Sequence, residues 1–227
     1  MPSQLINRRL ARRLLIHHAP IAMVCVASAI LLYITRPYRD VITRLSFATA
    51  YPALGLLSAT LLIGPWNLLR ARPSLVSNDL RRDLGIWAGI VGVAHSAIGQ
   101  CVHLRGRPWL YYVYGSQDHS HSFPIRHDLF GLANYSGLFS VLLLAALFAT
   151  SNDLSLRALG TRRWKQLQQW NYVVFALTAI HAFAFQAVEK QKISFVVVVG
   201  FFAGVTLAVQ MAGFLMRRAA GRSLNVA

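Results

Sequence analysis

Acidic residues are scarce in this chain of 227 residues: seven Asp and Glu stand against 23 Lys and Arg, a formal net charge of +16. Cysteine is nearly missing as well, with two residues, Cys25 and Cys101. They fall at different depths of two separate apolar runs, so no disulfide is implied and both read as buried apolar thiols. No glycine-rich dinucleotide fingerprint, P-loop or paired Cys-x-x-Cys occurs, which excludes nucleotide and zinc domains of those kinds. No second domain is expected, because the longest stretch between apolar runs, 104–129, is too short to fold alone.

What the chain has in excess is hydrophobicity. Apolar residues make up 56% of it and charged residues 13%, with a mean hydropathy of +0.47, beyond what a soluble core of this size needs. Six runs approach the roughly 20 apolar residues that cross a bilayer: 17–36, 44–64, 84–103, 130–150, 170–188 and 193–216. The expected fold is all-α, an integral membrane six-helix bundle. It is organised as a basic N-terminal segment (1–16), a six-span domain (17–216) and a short C-terminal tail (217–227). The N-terminal apolar run is long for a secretory signal and reads as an uncleaved anchor. Pro52 is expected to kink the second span.

The positive charge is not spread as a nucleic-acid binder would spread it, over one soluble face. It crowds into "NRRLARR", "RARPSLVSNDLRR", "RALGTRRWK" and "RRAAGR". These lie before span 1, between spans 2 and 3, between spans 4 and 5, and after span 6, all on one side of an even-numbered bundle. The positive-inside rule makes that side, with both termini, cytoplasmic, in a multi-pass protein of the inner (plasma) membrane. Arg105, Arg107 and Arg126 on the opposite loops soften the asymmetry without reversing it.

Well inside these spans stand two histidines, His95 in "GIWAGIVGVAHSAIGQ" and His181 in "NYVVFALTAIHAF", with His17, His18 and His103 at the rims. A single imidazole at membrane depth is as readily a hydrogen-bond partner between helices as a ligand. Here the two are matched. Each lies 11 residues into an outward-running span, about 16 Å along the axis at 1.5 Å per residue. Two histidines at one level can clamp a flat metal macrocycle from both faces, and haem iron accepts such axial nitrogens. Ala88, Gly92, His95 and Gly99 form one stripe at helical spacing, leaving room beside the ligand for a porphyrin plane, although close helix packing explains the glycines alone equally well. His95 and His181 are therefore the candidate metal ligands, with Gly92 and Gly99 as cofactor-contact positions. No Cys-x-x-Cys-His occurs, so the group would be non-covalent haem b, one per chain.

The runs "DLRRDLGIWAGIVGVAHSAIG", "DLFGLANYSGL" and "SNDLSLRALGTRRWKQLQQWNYVVFALTAIHAF" resemble the ferric reductase-like transmembrane domain family, over about residues 45–215. That family includes iron reductases, NADPH oxidases and the haem-binding membrane subunit of the bacterial periplasmic methionine sulfoxide reductase system. The resemblance implies a six-helix haem b protein that moves electrons across or into the membrane. Full members carry a pair of histidines on each of two helices, so that two haems stack. Here His95 and His181 match the outer pair, while the inner positions, 14 and 13 residues earlier, are Arg81 and Gln168. A single haem is what these residues allow.

Arg81 and Gln168 leave a polar, cationic entrance on the cytoplasmic side, whose guanidinium and amide donors suit a flavin or quinone headgroup, with Arg82 and Trp170 beside them. Arg105 or Arg107 on the far side suits the haem propionates. The outer loop "YYVYGSQDHSHSFPIRHD" holds His119, His121, His127, Asp118 and Asp128, metal-binding types without metal-site spacing, and reads as a solvated loop. Trp109, Tyr111, Tyr112 and Tyr114 read as an interfacial belt or short surface helix.

Two functional classes follow. The first is an electron-transfer protein taking electrons from a quinol or a separate flavin-containing partner and giving them to an outer acceptor, ferric iron or a periplasmic redox protein, as the membrane subunit of an oxidoreductase. The second is a histidine-lined transporter or channel, or a structural membrane subunit without haem. No Asp or Glu falls within the six runs, which counts against a proton-driven carrier.

Overall fold

The computed structural model describes residues 11–70, 75–104, 106–115, 124–189 and 193–224. They are helical almost throughout: α1 (Ala19–Ile34), α2 (Val41–Leu69), α3 (Leu75–Gly99), α4 (Leu129–Ala149), α5 (Asp153–Gln168), α6 (Asn171–Ala184) and α7 (Ile193–Leu224). A π-helical turn, Leu14–His18, leads into α1, and another, Phe185–Glu189, follows α6. Among the described residues there is no strand, only an isolated antiparallel bridge between Val113 and Ile125.

Four helices are long and apolar enough to cross a membrane: Ala11–Ile34, Val41–Leu69, Leu129–Ala149 and Ile193–Ala219. The chain is thus a multi-pass membrane protein. Its outward faces carry Met23, Val24, Ile30, Val197, Phe201 and Leu207, all exposed, a surface that suits lipid. The two helices that bear His95 and His181 are not among the four. Helix α3 begins at Leu75, ahead of the apolar run, so its first turns carry Asp79, Arg81, Arg82 and Asp83. Helix α6 has 14 residues before its hydrogen bonding slips into the π-turn. At the C-terminus α7 runs on through Arg217 and Arg218 instead of ending at 216, because arginine and alanine are good helix formers and nothing there breaks the ladder.

Helix α2 is the hub, packing against α1, α3, α6 and α7, while α4 packs against α3 and α6. Leu54, Leu57 and Leu61 of α2 meet Ala88, Leu144, Leu147, Val174, Phe175 and Val199 in one buried cluster. Polar pairs stitch the apolar contacts. Ser58 and Thr206 share a hydroxyl hydrogen bond of 2.5 Å between α2 and α7. Pro52 and Pro65 both lie inside α2. Pro65 has no N–H for the Leu61 carbonyl four residues earlier, and Gln210 of α7 donates to that carbonyl instead at 2.6 Å.

The helix starts are capped as their sequences direct. Asp40 accepts from the Thr43 N–H, Asn152 from the Ser155 N–H, and Asp128 from the Gly131 N–H at 2.7 Å. Asp128 also pairs with Arg126 at 2.7 Å, and that guanidinium holds its carboxyl below the ordinary range against a lesser penalty of burial. Because the folded value is depressed, this contribution is present above the ordinary carboxylate range and is lost as pH falls through the folded value. Helix α5 is two short helical pieces joined at Gly160, whose φ of 71° is a conformation that side chains with a Cβ rarely adopt.

Candidate functional site

The four-helix contact of α2, α3, α4 and α6 is not filled. Between these helices lies a cavity of about 200 Å³ lined by Ala88, Gly92, His95, Gly99, Gly137 and His181, with Tyr51, Leu144 and Gln186 among its other walls. The residues that the sequence marks as a ligand pair with flanking glycines are thus brought together. Both imidazoles belong to the wall of this one cavity.

Each ring is fixed from behind by a main-chain carbonyl on a neighbouring helix. His95 Nδ1 lies 3.0 Å from the Ser46 carbonyl of α2, with Thr49 Oγ1 at 3.2 Å. His181 Nδ1 lies 2.8 Å from the Ala133 carbonyl of α4. A carbonyl only accepts, so Nδ1 carries the hydrogen in both rings, and in the neutral imidazole Nε2 keeps its lone pair. No described residue hydrogen-bonds either Nε2. Two neutral imidazoles with Nδ1 anchored and Nε2 free in a shared apolar cavity are the donor set that a bis-histidine metal centre uses, the carbonyls fixing ring orientation and raising basicity. Among the described residues no group of three or more His, Cys, Asp or Glu could hold a metal ion, so this pair would suit a metal that brings its remaining ligands with it, as haem iron does.

The glycines act differently from one another. A Cβ on Gly137 of α4 would lie 2.6 Å from Nδ1 of His181, so this glycine is what lets the ring reach Ala133. A Cβ on Gly92 would meet the Cδ2 of Leu144 at 2.6 Å, the movable end of a side chain, and one on Gly99 would have an ordinary contact with Ser46. Gly137→Val is therefore expected to lower stability by about 1–3 kcal/mol through overpacking, whereas Gly92→Ala costs less than ~1 kcal/mol. Thermal unfolding in detergent compares the two, and equal effects would contradict this difference.

Gly137 is not singled out by sequence reasoning, although it stands inside "DLFGLANYSGL". The end of the cavity toward the connection from α3 to α4 carries Tyr111, 2% exposed, whose hydroxyl accepts the His103 N–H at 2.7 Å and donates to the Gly99 carbonyl at 3.1 Å. The aromatic run is therefore only partly an interfacial belt: Trp109 is exposed, and Tyr111 is a buried plug on a 3₁₀ turn, Pro108–Tyr111.

Arg81 and Gln168 do not line the cavity. The Arg81 guanidinium lies against Gly64 of α2, while Gln168 accepts from Asn171 Nδ2 at 3.3 Å and reaches Ser151 Oγ at 3.5 Å. It is Arg82 that joins Gln168 at Ser151, donating to its carbonyl at 3.1 Å and to Asp153 at 2.7 Å. Arg107 is exposed, and His127 packs edge-on against Tyr114. Arg105, Asp118, His119 and His121 lie outside the described residues.

A second polar cluster is hidden from hydropathy because Asp83 precedes the apolar run by one residue. Its side chain is fully buried, and Arg13 holds it with Nε at 3.1 and 3.0 Å and Nη2 at 2.5 Å. His17 Nδ1 lies 2.8 Å from its Oδ2 and His18 Nε2 3.3 Å from its Oδ1. Trp87 Nε1 donates to His18 Nδ1 at 3.2 Å, so the helix leading into α1 is clasped to α3. The one signal in the sequence is "RRLLIHH", a cation and two imidazoles at helical spacing with no acidic partner nearby.

No family model matches this chain, and no curated protein matches it.

Proposed function

We propose that the chain is a membrane haem b electron-transfer protein of the ferric reductase-like kind, with His95 and His181 as the axial ligands of one haem. It passes electrons from a quinol or flavin-containing partner to an acceptor on the outer side, ferric iron or a periplasmic redox protein. The observation that carries this reading is the pair of cavity-facing imidazoles, each anchored through Nδ1 to a carbonyl with Nε2 left free.

The cofactor supplies a reversible one-electron change at iron. The chain does the rest. His95 and His181 would hold the iron, and with both imidazoles engaged small exogenous ligands would be kept from it. Ser46 and Ala133 hold the rings in one tautomer, and Tyr111 separates the cavity from the outer surface.

In this reading α3 and the α6 segment complete six spans. They differ from the other four in that α3 opens with charged turns and α6 has only 14 residues, and both pack against α2 and α4. The basic clusters then share the cytoplasmic face with both termini. Arg82 and Gln168, meeting at Ser151, offer guanidinium and amide donors for a flavin or quinone headgroup on that face.

The test is the visible spectrum of protein purified from haem-replete cells. A low-spin species with split α and β bands after dithionite, at about one haem per chain, is expected. A colourless protein would overturn the reading and favour a subunit whose histidines serve helix packing.

A further inference from the structure

Among the described residues three buried side-chain atoms have no hydrogen-bond partner: Arg36 Nε, Tyr51 Oη and Gln186 Oε1. Buried polar groups left unmade are few and costly, so each asks for an explanation. These three are not scattered. The Tyr51 ring stacks near Phe47 and Phe195, with centroids 5.0 and 5.3 Å away, and the Arg36 guanidinium lies over the same two rings at 5.4 and 4.8 Å. The Tyr51 hydroxyl is beside the Gln186 side chain but off hydrogen-bond geometry, and it lies within the field of Arg36. Tyr51, Gln186 and Phe47 are walls of the histidine cavity.

The chemistry of the trio selects its ligand. A guanidinium and a phenol are donors, and the amide offers N–H or C=O according to its flip. Arg36 has no carboxylate partner among the described residues; its one polar contact is a long 3.5 Å approach to Thr35 Oγ1. Donors on the wall of an apolar cavity, with a guanidinium behind the Phe47 ring of that wall, call for a carboxylate, which a guanidinium binds through two parallel hydrogen bonds.

We propose that Arg36, Tyr51 and Gln186 form a carboxylate-binding subsite that takes the propionate groups of the porphyrin and so sets the edge by which the macrocycle enters. This rests on the haem reading above. As the neutralising cation Arg36 replaces the exposed Arg107, because it is half-buried and its guanidinium lies over Phe47, a residue of the cavity wall. Because Arg36 follows the end of α1 and that end is outward in the proposed topology, the propionate edge faces the outer side.

The experiment uses full-length protein from haem-deficient cells, titrated in detergent with iron protoporphyrin IX and with its dimethyl ester, which has the same ring and iron but no carboxylates. Wild type is expected to bind the free acid at least ~10-fold more tightly than the ester. Arg36→Gln should weaken the free acid about 10-fold and change the ester less than about twofold, and Tyr51→Phe should move in the same direction by less. Arg36→Lys should restore part of the preference. The midpoint potential of the loaded Arg36→Gln protein should fall, since removing a positive charge disfavours the reduced state. Equal weakening of both ligands would identify Arg36 as a strut on Phe47 and Phe195 and defeat the subsite, as would no effect on either. A Soret band without discrimination would sink the subsite alone, whereas no Soret band with either ligand would sink the haem reading together with it.

Discussion

His181→Ala is expected to yield a protein that folds into the membrane and carries no low-spin haem. The same is expected of His95→Ala. In the proposed haem reading either change removes one of the two protein donors to the iron; Leu54, Leu57 and Leu144 on the walls offer no nitrogen or sulfur, and His103, the other histidine of the lining, stands past the end of α3. Affinity should fall by several orders of magnitude, because a five-coordinate site keeps only one strong bond and the packing of the macrocycle. Reduced-minus-oxidised spectra of the purified variants, normalised to protein, read this directly. Adding imidazole to His181→Ala should recover part of the low-spin signal, which separates lost ligation from lost folding. A normal low-spin spectrum in either variant would mean that the pair is wrong.

The second large effect lies outside the cavity. Asp83→Asn is expected to destabilise the protein by about 3 kcal/mol, the lower part of the range for breaking a buried ion pair, because the Arg13 side chain keeps 29% of its surface exposed and retains some solvation. The clasp is worth more than an ordinary surface pair, since Asp83 is fully buried and its oxygens meet Arg13, His17 and His18 together. Asp153 provides the control. It pairs with Arg82 at 2.7 Å but is 70% exposed, so Asp153→Asn should change stability by well under ~1 kcal/mol. Apparent Tm values at one fixed scan rate in detergent compare the two, and a similar small shift for both would remove Asp83 from any structural role.

The histidine pair is legible in the amino-acid order by itself, and the reason is cost. An imidazole inside an apolar run is rare, and two at one depth are rarer, so His95 and His181 stand out in a plain reading of hydropathy. What holds them is not legible there. Ser46 and Ala133 act through carbonyl oxygens that every residue possesses, so their side chains carry no trace of the role. Gly137 looks like any packing glycine until the His181 ring is placed 2.6 Å from where its Cβ would be. Arg36 and Gln186 are 150 residues apart in the sequence and meet only through the Phe47 and Phe195 rings and Tyr51.

The polar entrance shows the same divide. The family resemblance points to Arg81, with Arg82 beside it, whereas the folded chain turns Arg81 toward Gly64 and sends Arg82 to Ser151, which Gln168 also reaches. Successive helix residues differ by about 100° in direction, so a choice between neighbours depends on which helix packs where.

Composition and hydropathy alone determined that the chain is all-α, that it crosses a membrane, and that its charge belongs at the ends of helices. These properties follow from local transfer free energies and from the backbone's need to satisfy its own hydrogen bonds in lipid. Only the tertiary structure decided what covers the polar side chains. Asp83 is enclosed by Arg13, His17 and His18 of the segment leading into α1, whereas His95 and His181 turn to carbonyls of α2 and α4, and the cavity, the ring tautomers and the unpartnered atoms of Arg36, Tyr51 and Gln186 follow from that packing. Burial by protein rather than by lipid is a property of contacts between distant segments, and no window along the chain contains it.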